Sequence, residues 1–587
     1  MKRNNFFTLM TISLLSLKIG YAQVPVLSSQ EVESIPVGFK WSKVSSMSDD
    51  FDSPSGTEPY DSTAPLNRTK WNPSLRDWKG RVPAEFYPDN VYLEGNQMHI
   101  KNTPHPFPHD GYTIAGGGVE SVNTQRYGYF EVRMKASKIR MSSTFWLNTT
   151  TVAFNDDVNN PNRDEGCEGY STEIDIVECM GSVETTPEWM VSAPWDVAMA
   201  SNTHFKLKEL VDVTETDGST SKKCQDVYYS TPASSFISED KTANVADDFH
   251  VYAAWWVNSN TVNYYLDGVK IKTLHPDMSA HTTPFDVEMS IRMVTETYDW
   301  QYSTDPSTGL VTPTPGYPDP TDTNPMSELN NSLINTTHYD WIHTYKLEPI
   351  NDNLVDNPDF EQGDLDTSNW TYWQPEGTKH VYRSSAFGEK FTNNFGAKII
   401  GSGGLEQVIE VTPNTNYVYT VLAKRISGKV IIGVKDVDTN TNIATNVQVS
   451  GEEFEEYKIE FSSGDRNKVK LFSFCNNGNS GVLDNFSVVE KTKYNEIKSG
   501  GALNNKSLTF NKQKLDIATN NRTIVIKTHS PLIIKNVSIY NTAGVKVYDM
   551  INKNLSTITI ETNLNRGLYI LKAEINSGQI ITKKILL

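Results

Sequence analysis

Short runs of alternating apolar and polar residues, each ended by Gly, Pro, Asn or Asp, restrict the fold of this chain more than any other feature. Examples are residues 129–135 (YFEVRMK) and the pair 262–266 and 269–274, which the turn Asp267-Gly268 separates. A period of two is typical of half-buried strands, and a two-residue Asp-Gly turn joins the strands of a hairpin. Helical periodicity is scarce. The sequence therefore predicts an all-β protein.

The length of 587 residues is too great for one hydrophobic core. With 37% hydrophobic and 21% charged residues, most of the chain is expected to fold. We predict three units, residues 42–349, 353–489 and 508–587, with a polar linker at 490–507. Residues 303–335 are rich in Pro, Thr, Asp and Asn, which is typical of a functional or disordered loop inside the first unit.

The N-terminus is typical of an exported protein. Lys2 and Arg3 precede a mostly apolar stretch from 6 to 19, and small residues end it at Ala22. We predict a signal peptide at 1–22 and a secreted or surface-attached mature chain. Oxidation of cysteines is expected after export, and a Cys167–Cys224 pair is one option that the sequence leaves open.

Net charge and aromatic content limit the classes of partner that the protein is expected to bind. The formal charge of −18 argues against nucleic acid, since phosphate binding needs clustered Lys and Arg. Aromatic residues make up 11% of the chain, with 27 Tyr and 12 Trp. Such rings serve sugar-binding proteins as stacking platforms, and they also favour strands. The composition thus fits a β-rich protein that binds polysaccharide.

Three acids stand close together in residues 173–178 (EIDIVE). On a strand, Glu173 and Asp175 share one face while Ile174 and Ile176 point into a core. Regular alternation would turn Glu178 toward that core. One extra residue, a β-bulge near Ile176 and Val177, would return Glu178 to the acidic face. We therefore predict three carboxylates along one groove.

Hydrolysis of a glycosidic bond would use such a set. One carboxylate attacks the anomeric carbon, and a second protonates the leaving oxygen and later activates water. Retention of configuration requires the two groups to lie about 5–5.5 Å apart. A solvated acidic strand or a calcium site are the alternatives for these residues.

The same string resembles the bulged active-site motif of glycoside hydrolase family 16. Residues 127–135, 142–147, 248–252, 265–268 and 339–342 resemble further landmarks of that family. The resemblance covers most of residues 42–349. It implies a β-jelly-roll sandwich with an open cleft that cuts polysaccharide internally with retention. By this resemblance Glu173 is the nucleophile, Glu178 is the acid/base and Asp175 assists between them.

Within the family, the chain looks most like β-agarases and β-porphyranases, on residues 78–81, 141–146, 202–204 and 295–300. The resemblance implies that the following residues bind substrate: Trp78, Arg81, Trp146, His204 and Glu296. Core packing, surface exposure or a structural role are the alternatives for each of them. We expect agarose as the first substrate, with porphyran or a carrageenan as alternatives. The candidates for sulfate recognition are Arg81, Arg126, Arg140 and Arg292.

Two further hypotheses stay open at this stage. A hydrolase fold can serve as a non-catalytic protein that binds polysaccharide at the cell surface, and the intact acid set argues against this. A transglycosylase would form the same covalent intermediate and pass it to a second sugar. No organic cofactor is implied, and the sequence does not indicate the oligomeric state.

The two remaining units resemble accessory domains. Residues 353–489 resemble a jelly-roll carbohydrate-binding module, on residues 357–361, Trp370, 405–407 and 483–487. Such modules often hold a structural calcium ion, for which Glu361 and Asp484 are the candidate ligands. In the first unit the calcium candidates are Asp52 and Asp340. Residues 508–587 resemble the sorting domain read by the type IX secretion system, which implies that machinery as a partner.

Overall fold

A computed structural model of the chain gives the architecture. It describes residues 25–27, 35–51, 66–149, 152–153, 169–183, 193–214, 218–277, 279, 285–304, 311–313, 317–365, 369–386, 388–498, 515–520, 523–528, 534–541, 546–550, 555, 557–562, 564, 568–575 and 580–586. The predicted signal peptide at 1–22 lies outside these ranges. The chain divides into two compact units, Met1–Ser507 and Leu508–Leu587. Across the described ranges, no helix combines the length and apolar character needed to cross a membrane.

The first part of the larger unit is built of strands, as the alternating sequence pattern predicts. They are β1 (Phe39–Lys43), β2 (Trp71–Asn72), β3 (Ala84–Phe86), β4 (Val91–Glu94), β5 (Gln97–Lys101), β6 (Thr103–His109), β7 (Tyr112–Ser121), β8 (Gly128–Lys135), β9 (Ser143–Asn148), β10 (Val152–Ala153), β11 (Gly169–Cys179), β12 (Ala198–Thr214), β13 (Thr220–Ser230), β14 (Ala233–Phe236), β15 (His250–Asn258), β16 (Thr261–Leu266), β17 (Val269–Leu274), β18 (Ser290–Thr295), β19 (Tyr302–Thr304), β20 (Val311–Pro313) and β21 (Thr336–Pro349). Short 3-10 turns lie at Ser45–Met47, Pro88–Asn90 and Asp299–Gln301.

Two large sheets form a sandwich from these strands. The back sheet has the order β17-β16-β15-β8-β21-β5-β4, with β1 beside β21. The front sheet has the order β13-β12-β11-β9-β18-β7-β2, with shorter strands added at β7, β11 and β12. The all-β prediction is confirmed, and the layout is that of a jelly-roll sandwich.

The core lies between the two sheets. Phe130, Val132 and Met134 of β8 point into it from the back, and Ile174 and Ile176 of β11 enter it from the front. Alternate residues of β8 face outward, where a second cluster forms. That cluster includes Leu27, Ile35, Phe39, Trp41, Tyr129 and Tyr345. N-terminal residues of the described chain therefore cover part of the outer surface of the back sheet.

The polar stretch at 303–335 is only partly loop-like. Beyond β19 and β20, Tyr317 and Leu329 are buried with Ile139 and Met141 in a small core. Glu328 also receives a hydrogen bond of 2.6 Å from Nη2 of Arg140. The apolar residues scattered through this stretch hold its second half against the sandwich, which its polar composition did not indicate.

The middle sandwich follows at once. Its strands are β22 (Thr371–Trp373), β23 (Val381–Ser384), β24 (Gly396–Ile400), β25 (Gly403–Glu410), β26 (Asn416–Ser427), β27 (Val430–Asp436), β28 (Val447–Val449), β29 (Glu455–Ser462), β30 (Lys468–Cys475) and β31 (Ser480–Glu490). They form two sheets, β22-β25-β30-β27-β28 and β23-β24-β31-β26-β29. Trp370 is buried and its Nε1–H donates to the carbonyl of Asn357, so this ring belongs to the core.

The predicted linker at 490–507 begins with a short α-helix. Residues Lys491–Lys498 form helix α1. The sequence KTKYNEIK is rich in helix-favouring Lys and Glu, and Gly is absent until the residues that follow. Lys493 pairs with Asp352 at 3.1 Å and Lys498 with Glu456 at 3.4 Å, so the helix is tied to the middle sandwich. The first half of the predicted polar linker is therefore helical, and the boundary of the linker stays a prediction.

A buried ion pair joins the two sandwiches. Nζ of Lys390, on the middle sandwich, lies 2.7 Å from Oδ2 of Asp286 on the first. The Lys390 side chain is 2% exposed and Asp286 also accepts a hydrogen bond of 2.6 Å from Tyr127. Gly38 lies so close to Ser487 that a Cβ there would come within 2.2 Å of its hydroxyl. The two sandwiches therefore share a packed, charged junction.

The C-terminal unit is a smaller β structure. Its strands are β32 (Leu515–Asn520), β33 (Thr523–Thr528), β34 (Ile534–Asn541), β35 (Lys546–Met550), β36 (Thr557–Glu561), β37 (Leu568–Ile575) and β38 (Ile580–Leu586). They pair in the orders β32-β33-β36 and β35-β34-β37-β38 around a core that includes Ile524, Ile539 and Leu571. Its role as a sorting domain stays a prediction.

Two of the cysteines are buried free thiols, Cys179 and Cys475. Cys224 is disulfide-bonded. Cys167, which the sequence offers as its partner, lies outside the described residues.

Candidate active site

The predicted β-bulge is present in β11. Glu173 lies opposite Asn148 of β9 and Glu178 lies opposite Thr144, so five steps along β11 match four along β9. The register shifts between Asp175 and Val177. Because the extra residue is absorbed there, Glu178 returns to the same face as Glu173 and Asp175 while Val177 stays in the core.

The acidic face of β11 opens into a cleft of about 910 Å³ on the front sheet. Every substrate-binding or catalytic residue that the sequence suggested lines it: Trp78, Arg81, Trp146, Glu173, Asp175, Glu178, His204 and Glu296. Residues that lie opposite one another on neighbouring strands form rows across the sheet. One row contains Asn148, Glu173, His204 and Ser230. The acids of the sequence motif therefore line a groove that runs across the strands of the front sheet.

Glu173 and Glu178 have different surroundings. Oε2 of Glu173 accepts a hydrogen bond of 3.0 Å from Nδ2 of Asn148. Oε1 of Glu178 accepts one of 2.8 Å from the hydroxyl of Tyr298. Burial raises the pKa of Glu178 above its ordinary value and the charge of Glu173 adds to this, although the Tyr298 hydrogen bond opposes it. Glu178 therefore holds a proton more readily than an exposed glutamate does.

Asp175 is buried between the two glutamates and faces His204. Nε2 of His204 lies 3.2 Å from Oδ2 of Asp175. Burial raises the pKa of Asp175 well above its ordinary value, and the charges of Glu173 and Glu178 raise it further. Burial lowers the pKa of His204, but Asp175 and the two glutamates outweigh this and raise it to about 9. Asp175 and His204 therefore share protons within one cluster.

The position of His204 changes the role expected for it. Its Nδ1 lies 2.6 Å from the hydroxyl of Ser230, and its Nε2 faces Asp175. Both ring nitrogens are thus engaged by the protein. The sequence suggested direct hydrogen bonds from His204 to sugar hydroxyls. The contacts instead indicate a side chain that holds Asp175 in place and adds a positive charge to the acid cluster.

Arg81 and Glu296 form a second pair of ionisable side chains in the cleft. Nε of Arg81 lies 3.3 Å from Oε2 of Glu296, and Nη1 lies 3.6 Å from Oδ2 of Asp299. The guanidinium lies 5.8 Å from the ring centroid of Trp78 and 5.3 Å from that of Tyr298. Burial raises the pKa of Glu296 to about 8, even though the Arg81 charge lowers it.

Trp146 is only 6% exposed, yet it lines the cleft. Its ring therefore forms part of the cleft wall and also packs against the residues beneath it. The guanidinium of Arg292 lies 5.2 Å from its ring centroid. Arg292 is held by Glu120 at 3.1 Å and by Asp77 at 2.8 Å. The structure therefore supports a framework role for Arg292 rather than a free positive charge.

The other two arginines considered for sulfate do not line the cleft. Arg126 contacts Asp286 and Asn394 at the junction of the two sandwiches. Arg140 is bound by Glu328. Of the four candidates, Arg81 and Arg292 alone belong to the cleft as the described residues define it.

Several cleft residues were missed by sequence reasoning. They are Asp77, Thr144, Asn148, Thr149, Ser171, Trp195, Lys206, Tyr228, Tyr298, Asp299 and Trp300. Lys206 follows His204 by two residues, so strand alternation could have placed it on the same face. Asn148 and Trp195 are far from the acids in sequence, and only strand pairing and loop packing bring them close.

The calcium candidates have contacts of their own. Asp340 lies 2.5 Å from Nη1 of Arg133, and Nε2 of Gln97 donates to it at 3.2 Å. Glu361 accepts backbone N–H bonds from Asn394 and Phe395 at 2.8 Å.

Asp484 accepts backbone N–H bonds from Phe391 at 2.7 Å and from Asn485 at 2.8 Å. In the described part of the chain, no three-ligand group of His, Cys, Asp or Glu contains Asp340, Glu361 or Asp484. Asp52 lies outside the described residues. The amide and guanidinium donors already serve these carboxylates, and calcium there stays a prediction.

Comparison with known proteins agrees with this site. The family described as "Beta-porphyranase A-D, GH16 domain" matches residues 41–347. β-Porphyranase B of Phocaeicola plebeius is 34% identical over 344 residues, which are 55% of this chain and 91% of that protein. β-Porphyranase E of Zobellia galactanivorans is 36% identical over 323 residues, 54% of this chain and 91% of that protein.

Among solved structures, the β-porphyranase BpGH16B of Bacteroides plebeius is 33% identical, with a TM-score of 0.39 over 54% of this chain and 95% of that one. Residues 41–347, which the family model matches, include strands of both sheets of the first sandwich and the whole acid motif. The chain belongs to the glycoside hydrolase family 16 group of β-porphyranases A–D.

Proposed function

We propose that the protein is an endo-acting, retaining glycoside hydrolase that cleaves β-linkages in a red-algal galactan, with porphyran as the first substrate. The observation that carries this proposal is the bulged strand β11, which turns Glu173, Asp175 and Glu178 into one cleft with unequal environments. A binding protein that had lost catalysis would have no need for this costly cluster of buried like charges.

Glu173 is the proposed nucleophile. It is less buried than Asp175, and Nδ2 of Asn148 donates a hydrogen bond to its carboxylate, which orients that group in the cleft. A charged carboxylate can attack the anomeric carbon and form the glycosyl–enzyme intermediate.

Glu178 is the proposed acid/base. Its raised pKa keeps a proton available for the leaving oxygen, and Tyr298 orients the carboxyl group. Once the nucleophile is bound to sugar, its negative charge disappears. The pKa of Glu178 then falls, so the same group can take a proton from the incoming water.

Asp175 and His204 position this pair. A proton shared between them lets Asp175 donate to or accept from its neighbours as the charge of Glu173 changes during the cycle. Asp175 thus keeps the total charge of the cluster low in both halves of the reaction.

The choice of substrate rests on relatives. The sequence alone put agarose first, but the relatives of 33–36% identity are named β-porphyranases, whereas "Beta-agarase AgaA" of Microbulbifer thermotolerans is 23% identical. Porphyran carries sulfate, and the basic side chains Arg81 and Lys206 lie in the cleft. A polymer of this kind is degraded outside the cell, in keeping with the predicted signal peptide and sorting domain.

A reducing-sugar assay of the mature full-length chain tests the proposal. Porphyran, agarose, κ-carrageenan and laminarin are compared side by side, with Glu173→Gln as the inactive control. Release from porphyran that the control lacks is expected. Release from agarose alone would replace the substrate while keeping the reaction, and activity that survives in Glu173→Gln would overturn the catalytic assignment.

A further inference from the structure

The basic residues of the cleft differ in how firmly they are held. The Arg292 side chain is 3% exposed, and two carboxylates bind it. Arg81 contacts the carboxylates of Glu296 and Asp299. Loss of these partners would leave a buried charge uncompensated, so Arg292 in particular is not easily transferred to a ligand.

The opposite end of the cleft has a different arrangement. Lys206 of β12 lies directly opposite Tyr228 of β13 and opposite Ser171 of β11. Strand alternation puts Lys206 on the same face as His204, two residues earlier, and all of these side chains line the cleft. The row Ser171–Lys206–Tyr228 therefore continues the catalytic groove toward the edge of the front sheet.

Tyr228 offers an open ring at this edge. It is 60% exposed, and β13 ends the strand order of the front sheet. The ammonium group of Lys206 lies 5.4 Å from the centroid of this ring. A tyrosine ring has an apolar face for the C–H surface of a sugar and a hydroxyl for its polar rim.

The ion pair of Lys206 is a weak one. Its Nζ lies 3.0 Å from Oδ2 of Asp226, and the two side chains are 36% and 37% exposed. Such surface pairs contribute little to stability, because solvent screens the two charges. A sulfate ester placed over Tyr228 could take over this ammonium group at little cost, because charge-assisted bonds to oxyanions are stronger than a solvated pair.

We propose that Tyr228 and Lys206 form a distal subsite for a sulfate-bearing sugar, with the sugar face on the Tyr228 ring and the sulfate ester on the Lys206 ammonium. The inference rests on the proposed function and deepens it. Tyr228 lies two strand spacings, roughly 10 Å, from β11, and Lys206 lies one spacing from it, so the subsite holds a sugar away from the scissile bond. It acts in binding and leaves the chemical step to β11.

The test compares porphyran with the same polymer after chemical desulfation. The variant is Lys206→Met in the mature full-length chain. Lys222→Met is the matched control, because Lys222 forms a similar exposed pair with Asp212 on the same two-stranded ribbon, away from the cleft. We expect Lys206→Met to raise KM for the sulfated polymer roughly tenfold, with kcat and the desulfated reaction unchanged. Lys222→Met should match the wild type on both.

Tyr228 is tested separately. Tyr228→Ala should raise KM for both polymers, whereas Tyr228→Phe should retain the ring and stay within about threefold of the wild type. Circular dichroism and thermal melting verify that each variant is folded. An equal effect of Lys206→Met on both polymers, or none on either, would overturn the subsite.

Failure of this inference is distinguishable from failure of the proposed function. A wild-type enzyme that cuts porphyran while Lys206→Met behaves like the wild type would remove only the subsite. A wild-type enzyme that ignores porphyran and cuts another galactan would remove the proposed substrate whatever the variants do.

Discussion

The first two sandwiches both bury carboxylates, and they treat them in opposite ways. In the middle sandwich, Asp484 is fully buried and accepts backbone N–H bonds from Phe391, Thr392 and Asn485. In the first sandwich, Asp175 is 3% exposed and faces Glu173, Glu178 and His204. Burial raises the pKa of both acids well above the ordinary value. At Asp484, three backbone N–H donors oppose this rise and the charge of Asp359 adds to it, whereas at Asp175 two further acids add to it and His204 opposes it.

The difference separates structural from chemical use of a buried charge. Asp484 accepts hydrogen bonds from the backbone N–H groups of a loop and thereby holds that loop against the sandwich. Asp175 lies where charge repels charge, so the cluster readily gains or loses a proton. Similar sheets thus serve different purposes, because the residues on one bulged strand decide the chemistry.

The largest expected effect is on catalysis at β11. Glu178→Gln removes the proposed proton donor while preserving shape, and kcat should fall by about 10²–10⁴-fold. The alkaline limb of the pH profile should vanish, because the deprotonation of Glu178 causes it. Tyr298→Phe serves as the milder companion, since it removes only the orienting hydroxyl. A Glu178→Gln enzyme with the wild-type pH profile would contradict the assignment.

The junction between the sandwiches should respond next. Lys390→Met leaves Asp286 without one cation in a buried place, and the free energy of unfolding should fall by about 3 kcal/mol. Urea unfolding followed by tryptophan fluorescence measures it. Lys398→Met is the matched control, because its partner Glu389 lies in the same sandwich. An equal loss in both variants would show that the junction has no special importance.

Matched substitutions of Asp484 and Asp175 test whether the two buried acids serve different purposes. Asp484→Asn places an NH₂ group against N–H donors and should lower stability by about 2 kcal/mol with kcat unchanged. Asp175→Asn should lower kcat and leave stability equal or higher, since it removes like-charge repulsion.

Thermal melts with calcium or EDTA complete this experiment. If amide donors account for the burial of Asp484, neither addition shifts Tm. A calcium-dependent rise in the wild type that Asp484→Asn lacks would instead support the metal site suggested by sequence resemblance.

The smallest effect concerns pH. The pKa of His204 is raised to about 9 in the folded protein from 6.5, so its contribution to stability is complete below about pH 6.5 and is lost as pH rises toward 9. We expect a loss of about 1–2 kcal/mol across this window. His204→Asn should show a flatter dependence in urea unfolding at pH 6, 7.5 and 9. An identical slope in the variant would show that another group is responsible.

Local sequence patterns predicted the parts of the site that depend on one strand. The spacing of Glu173, Asp175 and Glu178 around apolar Ile and Val was enough to indicate both the shared face and the bulge. The contributions of Asn148, Tyr298 and Tyr228 could not be predicted in this way, because they depend on which strands become neighbours. Pairing partners depend on the packing of the whole chain, and no short segment specifies them.

The roles of the charged residues also depend on partners that are distant in the sequence. The sequence offered four arginines for sulfate and did not single out Lys206. Arg126 and Arg140 were excluded only by their distant partners Asp286 and Glu328. The short helix Lys491–Lys498 was missed because eight residues carry too little periodicity to outweigh a polar, loop-like composition.

The roles of the two glutamates can be separated by azide rescue on an aryl glycoside of a galactan oligosaccharide. In Glu173→Ala, azide should occupy the space of the nucleophile and give a glycosyl azide of inverted configuration. In Glu178→Ala, the nucleophile remains, and azide should give a product of retained configuration. Proton NMR of the anomeric hydrogen reads both outcomes. Inversion from Glu178→Ala with retention from Glu173→Ala would contradict the proposed roles of the two residues.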